Sequence, residues 1–284
     1  MALKDILVHV DDRRGAASRV ELAAALGGAH GAHVAGLFVI EPVSVAGIAA
    51  PVGADIAASA IYETVLEQHL TRRRAVAQTL GEKFVATVEG AGGRAEWSVV
   101  VGDPGRIVPL HARYADLAVL AQSDPDDPAV DAGTAALTLL GSGRPVLIVP
   151  YIGVTAPVGR RVLAAWNATR EAARAINDAL PLLERAERVT VLSIDPQQGI
   201  AGDGDLPAAD IALHLARHGI RAEAAYSVAE DVGIGDLILS RAADLGADLI
   251  VMGGYGHSRL RELALGGVTR TMLQEMTVPV LLSH

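Results

Sequence analysis

Short apolar runs alternate with longer Ala-rich stretches along this chain, and the same order of runs occurs twice. Asp5-Ile6-Leu7-Val8-His9-Val10-Asp11 opens the first half, and Arg161-Val162-Leu163-Ala164-Ala165-Trp166-Asn167 opens the second. Such brief apolar runs predict buried strands, because a strand covered on both faces need not alternate with polar residues. An Ala-rich segment follows each and predicts a helix, roughly 16–26 in the first half and 171–183 in the second. His33-Val34-Ala35-Gly36-Leu37-Phe38-Val39 and Arg188-Val189-Thr190-Val191-Leu192-Ser193-Ile194 predict matching second strands. After a variable segment and a helix come two third strands, 94–99 and 221–226. Gly102-Asp103-Pro104-Gly105 and Asp231-Val232-Gly233-Ile234 then start crossover helices. Asp103 is placed to cap the first of these, with Pro104 at its first position. Asp116-Leu117-Ala118-Val119-Leu120-Ala121 matches Asp248-Leu249-Ile250-Val251-Met252-Gly253, and each half closes on an apolar strand after proline, at Pro145 and Pro279.

Strands alternating with helices give right-handed βαβ units and a parallel sheet. The fold class is therefore α/β, with two tandem doubly wound five-stranded parallel-sheet domains of Rossmann-like type. The boundary falls at 1–150 and 151–284. The link, near 151–160, is rich in Gly, Pro and Thr and is short, which favours packed halves.

Composition narrows the function. Of the 284 residues 51% are hydrophobic but only 3% aromatic, so Val, Leu, Ile and Ala must build the core. A net charge of −9 argues against a nucleic-acid partner, which usually meets a basic field. There is no cysteine, hence no disulfide, thiolate nucleophile or Cys-based metal site. The start, Met1-Ala2-Leu3-Lys4-Asp5, lacks a signal-peptide pattern, and no uncharged apolar run reaches a membrane span of about 18 residues. The Ala-rich stretch 43–61 comes nearest, but Pro51, Gly53 and Asp55 interrupt it. A soluble cytoplasmic protein without a membrane partner is the expectation.

The candidate chemistry lies after the fourth strand of the second half. Met252-Gly253-Gly254-Tyr255-Gly256-His257-Ser258 is followed by Gly266-Gly267-Val268-Thr269, a spacing of Gly253-x2-Gly256-x9-Gly266. Glycines at a strand end let backbone approach a ligand. In an open α/β sheet the crevice beyond the strand C-termini is where ligands sit. Backbone N–H groups beside a helix N-terminus form an anion site there. The pattern points to a nucleotide phosphate, yet it is neither a P-loop nor the dinucleotide G-x-G-x-x-G.

These residues resemble the universal stress protein family in its tandem form, over nearly the whole chain. The spacing with Val268-Thr269 matches that family's ATP-binding signature. The resemblance implies five parallel strands with helices on both faces in each half, packed as a pseudo-dimer. It also implies ATP or another adenine nucleotide, with or without magnesium, as ligand of the second half. Carried over, Ala165, Trp166, Asn167, Met252 and Gly253 lie near the adenosine. Gly256, His257, Gly266, Gly267, Val268 and Thr269 surround the phosphates. Two departures weaken the match: Gly267 replaces a Ser or Thr, and Asn167 stands where nucleotide-binding members carry Asp. His257, Arg259 and Arg270 are candidates to compensate. The resemblance further implies that Val146–Val149 pairs antiparallel with the final strand inside one chain, and an apolar edge is a template for such pairing. It leaves room for a further homodimer.

The first half departs further. Gln122-Ser123-Asp124-Pro125-Asp126-Asp127-Pro128 replaces the glycines, and three carboxylates would repel phosphates. Gly141-Ser142-Gly143 sits too close to the last strand to keep the spacing. This half reads as structural or partner-binding. Elsewhere the plainer readings prevail. Asp11-Asp12 suits a strand end and helix cap better than a metal, His30-x2-His33 lacks a third ligand, and the tryptophans Trp97 and Trp166 suit packing. The leading expectation is a nucleotide-binding stress-response module that is not an efficient enzyme. The alternatives are a ligand-free scaffold or protein-interaction module, and a weak ATP hydrolase or nucleotidyl transferase with Glu262 as its nearest carboxylate. A small apolar ligand between the domains is a further alternative, with 43–61 over its pocket.

Overall fold

The computed structural model describes residues 2–42, 55–126, 132–154, 157–195, 208–255 and 267–284, without the side chains of 55–62 and 132. The first half runs β1 (Asp5–Val10), α1 (Ala16–His30), β2 (His33–Ile40), α2 (Asp55–Gly90), β3 (Arg94–Val101), α3 (Pro104–Ala112), β4 (Leu117–Ala121), α4 (Ala132–Ser142) and β5 (Val146–Val149). The second repeats it as β6 (Arg161–Trp166), α5 (Arg170–Leu183), β7 (Arg188–Ile194), α6 (Ala209–Arg217), β8 (Ala222–Ser227), α7 (Ile234–Asp244), β9 (Leu249–Gly253), α8 (Gly267–Glu275) and β10 (Val280–Ser283).

All ten strands form one sheet in the order β3-β2-β1-β4-β5-β10-β9-β6-β7-β8. Within each half every pairing is parallel. The seam between halves is antiparallel: Val280 faces Ile148, Leu281 faces Leu147 and Leu282 faces Val146. The expected intramolecular pairing of the final strands is therefore present. The seam strands β5 and β10 are buried along their whole length.

Successive strand residues point to opposite faces, and both faces here are covered. Ile6, Val8 and Val10 of β1 join a core with α1, α2, α5 and α6, whereas Leu7 joins a second core with α3, α4, α7 and α8. In β9, Leu249 and Val251 enter the first core, Ile250 and Met252 the second. Trp97 packs on Phe84 and Phe38 with ring centroids 5.4 and 6.4 Å away, a packing role as expected. Gly36 and Gly81 make room for it, since a Cβ on either would stand 2.6 Å from its ring.

The repeat extends to backbone clamps at the strand starts. Asp116 accepts from the N–H groups of Lys4 (2.7 Å) and Asp5 (3.1 Å). Asp248 accepts from Gly159 (2.7 Å), Arg160 and Arg161. Each ties the start of its fourth strand to that of its first. One local expectation fails. Asp103 occupies the N-cap of α3 and Pro104 its first turn, but the Asp103 side chain makes no capping bond. Helix α1 also runs four residues beyond its expected end and stops at Gly31, which takes φ +62°. Gly27 and Gly28 in its last turns pack tightly, Gly27 on Val34 and Gly28 on the Ala91 carbonyl. Among the described residues no helix is long and apolar enough to cross a membrane.

Candidate functional site

The chain leaves β6 toward β7 on one side and later returns to β9 on the other. The connections after β6 and β9 therefore diverge to opposite faces, and the strand order reverses at this point. A crevice opens beyond the strand C-termini at such a switch. The end of β9 and the start of α5 meet there in backbone contact. A Cβ on Gly253 would stand 2.6 Å from the Ala172 nitrogen and 2.7 Å from the Glu171 carbonyl carbon. No larger residue fits at 253 without displacing the first turn of α5. Thr169 caps that helix, its Oγ1 accepting from the Ala172 N–H at 3.3 Å. Asn167 is exposed beside it, and its Oδ1 accepts from the Thr169 hydroxyl at 2.8 Å.

Helix α8 is tied to the end of β9. Gly267 is exposed, Val268 packs on the second core and Thr269 is buried. The Thr269 Oγ1 accepts from the Tyr255 N–H at 3.4 Å. Tyr255 takes φ +60°, a left-handed conformation a residue with a side chain rarely adopts. Its buried hydroxyl has no partner among the described residues, and burial pushes its pKa up to about 12. His284 brackets the same turn: its Nδ1 lies 3.1 Å from the Gly254 carbonyl oxygen and its ring meets Tyr255 edge-on. The capped N-terminus of α5 thus lies at this switch point, and it carries partial positive charge suited to an anion.

The structure therefore gathers Ala165, Trp166, Asn167, Met252, Gly253, Gly267, Val268 and Thr269 at one sheet edge, in different roles. Met252 is 5% exposed and belongs to the second core. Ala165 and Trp166 are half-buried on opposite cores. Of these, Asn167 and Gly267 are exposed and Gly253 is half-buried. Gly256, His257 and Gly266 lie outside the described residues, as do Ser258, Arg259, Arg261 and Glu262. The stretch 43–54 and Asp127 lie there too. Arg270 is exposed on α8. Sequence reasoning missed His284 and the Tyr255–Thr269 contact, because nothing local links residues so far apart in the chain.

The matching crevice of the first half is filled by its own side chains. Asp11 stands where Asn167 stands. Its carboxylate meets the buried Arg19 guanidinium at 2.9 Å, and the Arg19 Nε donates to the His9 carbonyl oxygen at 2.9 Å. Asp12 takes a two-pronged bond from Arg73 of α2, at 2.7 and 3.1 Å. Gln122 replaces Gly254. Its side-chain nitrogen donates to the Gln274 carbonyl oxygen across the seam, and its Oε1 accepts from the Tyr151 N–H. The interdomain link lies on the start of α1, where a Cβ on Gly15 would stand 2.9 Å from the Tyr151 carbonyl oxygen. Asp124 folds back on its own loop, accepting from the Asp126 N–H at 3.0 Å. Among the described residues no group of three or more His, Cys, Asp or Glu could hold a metal ion.

The Arg73 contact gives a pH prediction. Its hydrogen bond holds the Asp12 carboxyl below the usual 3.8, outweighing the opposing effect of burial. A lowered folded-state pKa means the contact stabilises fully above the unfolded value and is lost as pH falls through the folded one. Asp12→Asn is thus expected to lower the urea midpoint at pH 7, with the gap to wild type closing on acidification below about pH 4. An equal gap at pH 7 and pH 3 would contradict it.

The universal stress protein family model matches residues 159–284, the second half. The crystal structure of a universal stress protein from Archaeoglobus fulgidus covers 98% of this chain and 95% of its own, at 16% identity and TM-score 0.74. That of a functionally unknown protein from Pseudomonas aeruginosa PAO1 covers 99% and 92%, at 17% identity and TM-score 0.57. At these identities the likeness is one of fold, and it extends through both halves. Comparison with curated proteins finds no match. The second half thus matches the universal stress protein family, and the fold of solved structures of that family runs through both halves.

Proposed function

We propose that the second half binds an adenine nucleotide, ATP in the first instance, and that the chain works as a nucleotide-responsive module with no efficient catalysis of its own. One contrast between the halves carries this reading. The switch point between β6 and β9 brings Gly253 and the exposed Asn167 beside the capped N-terminus of α5, whereas the matching place in the first half holds the Arg19–Asp11 ion pair and the bonds of Gln122. The resemblance of Gly253-x2-Gly256-x9-Gly266 to the family's ATP-binding signature supports the nucleotide. Binding would order partner contacts only through different affinity for two states of the chain.

A ligand-free scaffold is the second reading, and Asn167 favours it. Its amide oxygen is engaged by Thr169, and its neutral side chain offers the ribose a weaker acceptor than a carboxylate. Calorimetry of the whole protein with ATP and magnesium separates the two. Saturable binding in wild type is expected, with at least a tenfold loss in Gly256→Glu, which adds a carboxylate to the glycine motif. No heat at millimolar ATP would favour the scaffold.

A further inference from the structure

The glycine motif runs from the end of β9 to the start of α8, and first-half side chains meet both elements. At β9 the contact is Leu139 of α4. A Cβ on Gly254 would stand 2.7 Å from the Leu139 Cδ2, so glycine at 254 leaves that methyl its place. Leu139 is 2% exposed and shares the second core with Met252 and Leu282, so the methyl has little room to retreat. The Gly254 N–H donates to the Ser283 carbonyl oxygen at 2.9 Å, and its own carbonyl oxygen meets His284 Nδ1 at 3.1 Å. Gly253 beside it rests on α5. This strand end is thus set between a helix of its own half and one of the other. At α8 the contact is Gln122. Its side-chain nitrogen donates to the Gln274 carbonyl oxygen at 3.1 Å, and its Oε1 accepts from the Tyr151 N–H of the link. Gln122 is 2% exposed, so both bonds are made away from water, where they are stronger. Helix α8 in turn carries Thr269, which accepts from the Tyr255 N–H. The two contacts mirror each other. Gln122 and Gly254 each follow the fourth strand of their half directly, and each meets the last helix of the opposite half.

We propose that the first half braces the nucleotide site of the second, with Leu139 and Gln122 as positioning residues, an inference that rests on the nucleotide-binding reading of the second half. Both act through backbone. Leu139 fixes the strand end from which the glycine motif departs, and Gln122 fixes the helix at which the motif ends. Bracing both ends reduces the freedom that a ligand must remove, and a preorganised site binds more tightly. The coupling is reciprocal: a nucleotide that favours the braced strand end also favours the docking of α4 and α8 across the seam. A half whose own switch point is taken up by ion pairs thereby serves the site of its neighbour.

The test uses the full chain and two readouts. The imidazole proton resonances of His284, beside the Gly254 carbonyl, report the strand end without nucleotide. Calorimetry with ATP and magnesium reports the site. Leu139→Ala is expected to shift the His284 resonances and to weaken ATP about threefold to thirtyfold, the range of couplings carried through packed networks. Gln122→Met, which keeps the shape and loses both bonds, is expected to weaken ATP by a similar factor. Val119→Ala, an equally buried first-half change in the other core, is the control and should leave both readouts unchanged. Leu139→Ala/Gly254→Ala serves where the single variant folds poorly. Gly254 is not left-handed, so its new Cβ enters the vacated room, and the resonances and affinity should return toward wild type. His284 resonances unmoved by Leu139→Ala, or moved equally by Val119→Ala, overturn the proposal whatever ATP does. So does unchanged ATP affinity in both Leu139→Ala and Gln122→Met. Absence of ATP binding in wild type overturns the nucleotide reading, and the His284 comparison then decides by itself whether the first half sets this strand end.

Discussion

Replacing Arg19 by methionine is expected to destabilise the protein by about 3–5 kcal/mol, the cost of removing one partner of a buried ion pair. Arg19 is 1% exposed, and its guanidinium serves both the Asp11 carboxylate and the His9 carbonyl. Methionine keeps most of the stem's packing, so the loss measures the stranded carboxylate and the unpaired carbonyl more than a cavity. The second half shows how the same fold manages without this pair. Asn167 occupies the place of Asp11, and Ala175, eight residues on, the place of Arg19; Ala175 is fully buried. The Asp11→Asn/Arg19→Met double variant, which removes the charge as well as its partner, is therefore expected to be more stable than Arg19→Met alone. Urea denaturation of the three proteins measures it. A single variant within about 1 kcal/mol of wild type would mean water reaches Asp11, and the first-half crevice is not the closed structure described.

This pair also shows where sequence reading reached its limit. The strands could be placed because most are short apolar runs bounded by polar residues, Gly or Pro, and because each pattern occurs twice. The antiparallel pairing of the two final strands was implied by the family resemblance, and an apolar edge that calls for a partner gave it a physical reason. Arg19 could not be read this way. It sits in an Ala-rich helix where arginine normally faces water, and only the turn from β1 into α1 brings it under Asp11. Asp116 and Asp248 were visible as strand starts, but their clamping of residues about 90 to 110 positions earlier belongs to tertiary structure. The reverse holds for Met252 and Val268. Their place in the motif suggested ligand contact, yet strand and helix periodicity turn both side chains into the core. A motif marks a stretch of backbone, and which of its side chains reach the ligand is set by which face is already occupied.

Expression of residues 157–284 alone is expected to give a homodimer, because the fragment loses the partner of a fully buried strand. In the whole chain Val280, Leu281 and Leu282 are 0–1% exposed and hydrogen-bonded to β5. The seam is centred on Leu281 opposite Leu147, and each of these is the middle residue of its apolar triplet. A second copy of β10 in the same antiparallel register would set Leu281 against Leu281 and Val280 against Leu282. That matches the native pairing of leucine with leucine and of one β-branched residue with another aliphatic one. Self-association therefore restores nearly the same hydrogen bonds and burial, and symmetric pairing of this kind closes after two copies. Burying three such side chains at about 1.5–3 kcal/mol each gives a strong driving force. Sedimentation velocity at micromolar concentration should show a dimer for the fragment. Leu281→Arg in the fragment should shift it to monomer or insoluble material, because two arginines would then face each other across the seam. A well-behaved, folded monomer of the unaltered fragment would mean β10 is shielded from within its own half. The antiparallel seam would then be a convenience of the tandem chain and not a requirement of the domain.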